Sequence, residues 1–185
     1  MKKISKIIFN KLFLIFTKVI GKPQLYFKRV GIKVGSNCRI YTSSFGSEPF
    51  LITIGNHVTV TSGVSFITHD GSGWLMRDDK GRRYVYQPIN IGNHVFIGVN
   101  SIIMPGVKID DEVIVAAGSV VTKSIPSGVV VAGVPAKIIG KYSDIKNKML
   151  DNYISDIDMR ALKGTYEERI RKVTTNTYKA YLNDK

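Results

Sequence analysis

From residue 91 to residue 126 one aliphatic side chain returns every six residues, and it is β-branched each time. The positions are Ile91, Ile97, Ile103, Ile109, Val115 and Val121. The residue after each is mostly small or turn-forming (Gly92, Gly98, Asp110, Ala116, Thr122), with Met104 the exception. The residue four places on is compact: Val95, Ser101, Val107, Val113, Ser119 and Ile125. A sandwich of short strands would show two-residue alternation and irregular spacing instead. A six-residue repeat is the mark of a parallel β-helix, in which the chain coils and its flat sides stack.

The same phase runs earlier in pieces. Val34 and Ile40 fit it, as do Ile54, Val60 and Phe66, and Ile54-Gly55-Asn56-His57 is duplicated at Ile91-Gly92-Asn93-His94. The interruptions are equally informative. Ile40 to Ile54 is 14 residues, two more than two hexads, so residues 45–51 should bulge. Phe66 to Ile91 is 25 residues, one hexad plus 19. Continued coiling would turn Ser72, Asp78 and Tyr84 inward, and they do not suit an apolar interior. Residues 72–90 are therefore expected as an extruded loop, and loops of that length are usually functional.

Charge divides the chain unevenly. Ten Lys or Arg precede the first acidic residue, Glu48, so residues 1–47 carry +10. The rest, with 17 basic and 14 acidic side chains, carries +3. The basic arm reads as an amphipathic helix, with Ile4, Ile7, Ile8, Leu12, Ile15, Phe16 and Val19 on one stripe, flanked by Lys2, Lys3, Lys6, Lys11 and Lys18. Gly21 and Pro23 stop it. The unbroken apolar run Leu12–Phe16 is far short of the roughly 20 residues that span a bilayer, and Lys11 and Lys18 bracket it too closely for a signal-peptide core. The arm either packs on the domain or a neighbouring subunit, or lies on an anionic membrane surface. Its lysines alternate with large aliphatic residues rather than stacking aromatics, so no nucleic acid is expected. The expected location is cytoplasmic, free or peripheral on the inner face of the membrane.

One cysteine, Cys38, excludes a disulfide scaffold and a cysteine-ligated metal site. After Lys141 the composition changes, and residues 143–160 and 165–181 read as helices separated by Gly164. Thr165 with Glu168 forms a capping-box signature for the second. The expected organisation is a basic arm over 1–29, a coil over 30–141 and a helical tail over 142–185.

The repeats at 30–141 resemble the hexapeptide-repeat acyltransferases, and within these the sugar O-acetyltransferases of surface polysaccharides. The resemblance implies an all-β core wound as a left-handed parallel β-helix of three-hexad turns. Residues eighteen apart then stack, so that Ile91 meets Ile109, Ile97 meets Val115 and Ile103 meets Val121. In that family the catalytic histidine stands just before the loop that leaves the coil, and here that place is taken by His69. It would act as general base on an acceptor hydroxyl or amine that attacks acetyl-CoA directly; Asp70 is a candidate to orient it. The run Ala116–Lys123 with Gly133-Val134-Pro135-Ala136-Lys137 is similar to the family's cofactor end. It implies acetyl-CoA contacts at Gly98, Ala117 and Thr122, and phosphate contacts at Lys123 and Lys137. Galactoside-type relatives carry Ser where this chain has Val99, and Arg where it has Lys137.

Trp74 and Tyr84 in the extruded loop offer an aromatic platform for a glycan, and His94 is a further candidate to touch substrate. His57 and His94 stand at equivalent corners of two repeats, which alone explains them. The family further implies a homotrimer with sites between neighbours. The expected activity is O-acetylation of a sugar in a capsule, O-antigen or exopolysaccharide, or in its precursor. Alternatives are N-acetylation of an amino sugar or antibiotic-type small molecule, and, remotely, a non-catalytic or carbonic-anhydrase-like coil. The last needs three converging histidines, and no metal site is expected.

Overall fold

The computed structural model describes residues 2–175 and 177–179 and divides into two units, Met1–Asp144 and Ile145–Lys185. In the first, the chain winds through three parallel sheets. One stacks Lys33–Val34, Ile52–Ile54, Ile89–Ile91 and Lys108–Ile109. A second stacks Arg39–Ile40, Thr59–Val60, Phe96–Ile97, Ile114–Val115 and Val129–Ala132. The third stacks Ser65–Phe66, Ile102–Ile103 and Val120–Val121. The eighteen-residue register is met at Ile91–Ile109, Ile97–Val115 and Ile103–Val121.

The six periodic side chains are at most 3% exposed, and all belong to one core. Burying each contributes roughly 1.5–3 kcal/mol. The second inward set, four places on, includes Ser101 and Ser119, both fully buried. Their hydroxyls donate to the carbonyls of Gly98 (2.8 Å) and Ala116 (2.7 Å), so burial leaves neither unpaired.

The duplicated Ile-Gly-Asn-His tetrapeptide builds a corner. Asn56 Oδ1 accepts from the Ser36 N–H (2.9 Å), Asn93 Oδ1 from the Asn56 N–H (2.9 Å) and Asp111 Oδ1 from the Asn93 N–H (2.6 Å). Each side chain thus satisfies a backbone donor of the preceding turn. The glycine is required by proximity, since a Cβ on Gly55 would sit 2.5 Å from the Gly92 carbonyl oxygen. His57 and His94 take the left-handed φ of the corner, 56° and 54°, and their rings stack at 4.8 Å.

Both interruptions fall where the count breaks. Val34 pairs with Ile54 and Ile40 with Val60, an offset of twenty rather than eighteen. The surplus sits in a bulge with Phe45 buried and a 3-10 turn at Pro49–Leu51. The longer excursion leaves after Thr68 and closes at Gln87, whose N–H donates to the Thr68 carbonyl (2.9 Å). It carries a 3-10 turn at Gly71–Trp74 and a hairpin pairing Arg77–Asp78 with Gly81–Arg82. The expected range of 72–90 is corrected at its end: Ile89 and Asn90 belong to a coil strand, and Ile89 is fully buried. Alternation puts Ile89 on the inward side with Ile91, and counting in sixes alone overlooks it.

Helices α1 (Lys2–Val19) and α2 (Gln24–Val30) close one end of the coil. Phe27 of α2 meets Phe45 edge-on at 5.9 Å, and Phe45 stacks on Phe66 at 5.8 Å. The face of α1 that packs is made by Leu14 and Thr17, with Phe13 against the core, and not by the apolar stripe. Of that stripe Ile8, Leu12, Ile15, Phe16 and Val19 are exposed, while the side chains of Ile4 and Ile7 lie outside the described residues. At the other end Lys137–Lys141 turns back antiparallel on Val129–Ala132, with a bulge at Val130–Val131.

Helix α3 (Tyr142–Asn152) begins at the close of the first unit, and α4 (Asp156–Ala161) and α5 (Tyr166–Val173) follow. The single helix expected over 143–160 is two, because Ser155 caps a new start by accepting from the Asp158 N–H (3.1 Å). The Thr165–Glu168 capping box is present, with both hydrogen bonds made. Helix α5 stops at Val173, before Thr174 and Thr175, rather than at 181; residues 176, 180 and 181 lie outside the described residues.

Replacing Ile97 by Ala removes a rung from the middle of the stack. It should cost about 2–5 kcal/mol, read as a lowered denaturation midpoint.

Candidate active site

The two interruptions meet. The bulge brings Glu48 against the first residues of the extruded segment, where its Oε2 lies 2.9 Å from His69 Nδ1 and 2.7 Å from Thr68 Oγ1. Thr68 is fully buried, the Glu48 side chain is 17% exposed and the His69 side chain is 40% exposed. A carboxylate on Nδ1 fixes the tautomer with Nδ1–H as donor, leaving Nε2 as the free base. Burial opposes ionisation of Glu48, but the hydrogen bonds from Thr68 and His69 and the charge of His69 outweigh it and hold its carboxyl below the ordinary value near 4.5.

Asp70 does not hold the imidazole. Its Oδ1 accepts from the Ser72 N–H (2.8 Å) and caps the 3-10 turn, a bond that lowers its own pKa. The residue that orients His69 was not singled out from the sequence. The signal was there, in the two surplus residues between Ile40 and Ile54. A coil interrupted only for packing has no reason to place a carboxylate on its inner rim.

His69 opens onto a cleft of about 500 Å³ lined by Ile67, Asp70, Gly71, Val85, Gln87, Met104, Pro105 and Thr122. Of the expected cofactor residues, Thr122 reaches this cleft. Lys123, its neighbour in sequence, lines another with Val131, Ala136 and Ile138. Gly98 has a local reason to be glycine, since a Cβ there would sit 2.4 Å from the Ala117 backbone nitrogen. Ala117 is thus the neighbour of Gly98 on the next coil; neither lines the His69 cleft, and neither does Lys137. His94 stacks face to face on His57 and is also absent from it. That stack presents ring faces rather than nitrogens to one another. Among the described residues no three His, Cys, Asp or Glu converge as metal ligands.

The extruded segment continues the site outward as a ladder. The Tyr86 ring lies 5.8 Å from His69, Tyr84 stacks on Tyr86 at 6.2 Å, and Arg82 lies 3.9 Å over Tyr84. Arg82 also faces Trp74 at 5.5 Å, and Arg77 lies 4.1 Å over the same indole. Trp74 and Tyr84, at 57% and 59% exposed, thus stand in one track that begins at His69. Arg83 is engaged separately with Asp78.

Comparison with known proteins bears on the family and the fold. The family described as hexapeptide repeat of succinyl-transferase matches residues 88–123. Protein CapG of Staphylococcus aureus is 51% identical over 128 residues, 68% of this chain and 74% of that protein. Galactoside O-acetyltransferase of Escherichia coli (strain K12) is 35% identical over 130 residues, 66% of this chain; the chain spans 61% of that enzyme's length. A solved galactoside acetyltransferase in complex with coenzyme A superposes with a TM-score of 0.54 at 28% identity, covering 74% of this chain and 76% of that one.

Ionised Glu48 favours the folded state. Its contribution is full above the ordinary carboxyl value and fades as pH falls through the lower folded value. Glu48→Gln should therefore melt below the parent at pH 7, and the two melting temperatures should converge as the pH falls through the lowered folded value of Glu48. The same variant should lose about 10- to 100-fold in kcat with little change in KM for acetyl-CoA.

Proposed function

The chain belongs to the hexapeptide-repeat acyltransferase family, and on that premise we propose that it O-acetylates a sugar of a surface polysaccharide or its precursor, with acetyl-CoA as donor. The observation that carries this reading is the Glu48–His69 pair at the mouth of the extruded segment, with Nδ1 engaged at 2.9 Å and Nε2 left to act. Bound acetyl-CoA supplies an acetyl group already activated as a thioester. His69 Nε2 accepts the proton of the acceptor hydroxyl as that oxygen attacks the thioester carbonyl. A carbon–oxygen bond forms, the carbon–sulfur bond breaks, and the imidazolium returns its proton to the departing sulfur. Glu48 keeps the ring in one tautomer throughout and offsets the charge that His69 gains. Neither a serine nor a cysteine nucleophile is called for.

The residues fit a CoA thioester in two respects. Ile67, Val85, Met104 and Pro105 give the cleft apolar walls suited to an aliphatic arm, with Thr122 as a polar contact. Lys123 and Lys137 are exposed cations that would meet the phosphates as point charges, where an Arg would form a fork. A homotrimer would bring a neighbouring chain against the cleft. On the acceptor side, Trp74, Tyr84 and Tyr86 give a sugar apolar ring edges, and Arg77 and Arg82 give its rim donors. Likeness to galactoside O-acetyltransferase supports a sugar hydroxyl as the acceptor.

The test is steady-state acetyl transfer to a panel of neutral glycans, acidic glycans and amino sugars. His69→Ala should lower kcat by about 10²- to 10⁴-fold with the fold intact, and Trp74→Ala should raise the acceptor KM and spare that for acetyl-CoA. Turnover that survives loss of His69, or exclusive transfer to amines, would overturn the reading. Light scattering should give three times the mass of one chain; a fully active monomer would remove the trimer.

A further inference from the structure

Helix α1 is fastened by one face and bare on the other. Leu14 and Thr17 are buried, and the Arg29 guanidinium clamps the helix from α2, 4.6 Å over Phe9 and 5.4 Å over Phe13, with Nε donating to Asn10 (3.2 Å). Opposite them, Ile8, Leu12, Ile15, Phe16 and Val19 are between 54% and 80% exposed. At the pitch of an α-helix these positions and Ile4 share a stripe about 120° wide that holds no charged residue. Positions 11 and 18, both Lys, border it along one edge.

We propose that this face lies on the surface of an anionic lipid bilayer. Charge selects that occupant. Residues 1–47 carry ten Lys or Arg and no Asp or Glu, so every charge formally carried around the apolar stripe is positive. A second copy of the chain would bring the same +10 arm and a remainder of +3, and so no net negative charge to lie against it. The helix has 18 residues, and among the described residues no helix is long and apolar enough to cross a membrane. It lies in the interface and does not span. On the fastened side of the arm, a groove lined by Asn10, Arg29, Ser47 and Pro49 joins it to the bulge of the coil. The proposal does not rest on the acetyl-transfer reading.

The full chain is sedimented with vesicles of phosphatidylcholine containing phosphatidylglycerol, and with phosphatidylcholine alone. Binding is expected to the first, weakened by salt, and little to the second. The double variant Leu12→Glu/Phe16→Glu should lose about tenfold or more in partitioning, with unchanged thermal unfolding and unchanged mass in solution. Val19→Glu, at the most exposed of these positions, should move the same way with even less demand on folding. Failure to bind the anionic vesicles, or equal binding by the variants, overturns the proposal. So does a fall in the variants' molar mass, which would show that a second copy covers the face.

Discussion

A coil this narrow is filled mainly by β-branched aliphatic side chains, one above another. From Ile91 to Val121 each side of the coil sends a β-branched residue into the same shaft, and backbone hydrogen bonds hold the turns in register, as between Gly98 N–H and the Val115 carbonyl (2.8 Å). Neither element is sufficient alone. Two-residue strands are far too short to persist, and the apolar shaft exists only while the strands hold it closed. The stack therefore forms as a cooperative whole, and its rigidity fixes everything attached to it.

That rigidity explains how a site arises on so regular a scaffold. A perfect repeat offers the same surface on every turn and therefore no place where dissimilar groups meet. Chemistry enters where the repeat is broken, and here two breaks fall on neighbouring turns. One supplies Glu48 and the other begins at His69, and buried Thr68 ties them by donating to the same carboxylate oxygen. The coil acts as a ruler that brings two irregular segments into hydrogen-bonding distance.

Much of this could be read in the residues, for a physical reason. Inward positions admit few side-chain types, so Ile91 through Val121 declare themselves, and their register follows from counting. His69 was legible because it stands where the count fails. Glu48 was passed over because a bulge has no internal period, and nothing local says which of its residues points back to the coil. Asp70 was adjacent in sequence to His69, and adjacency proved a poor guide beside the pull of a local cap at Ser72. The stripe on α1 was visible, but its orientation was not. Periodicity shows that a helix has an apolar side; it does not say which side a neighbour will claim, and Leu14 with Thr17 claimed the other.

The return of Lys137–Lys141 along Val129–Ala132 has a consequence for how the protein behaves in concentrated solution. A stack of parallel rungs ends in a row of unmet amides and carbonyls, a template on which another molecule could continue growing into a fibre. Running the last strand of one sheet backwards, with a bulge at Val130–Val131 and lysines at both ends of Lys137–Lys141, blunts that edge. At the far end the aromatic rings of α2 serve as a stopper. The flank of the coil that ends in this reversed strand is thereby a poor place for a second chain to add, while the other two flanks end in parallel strands at Lys108–Ile109 and Val120–Val121.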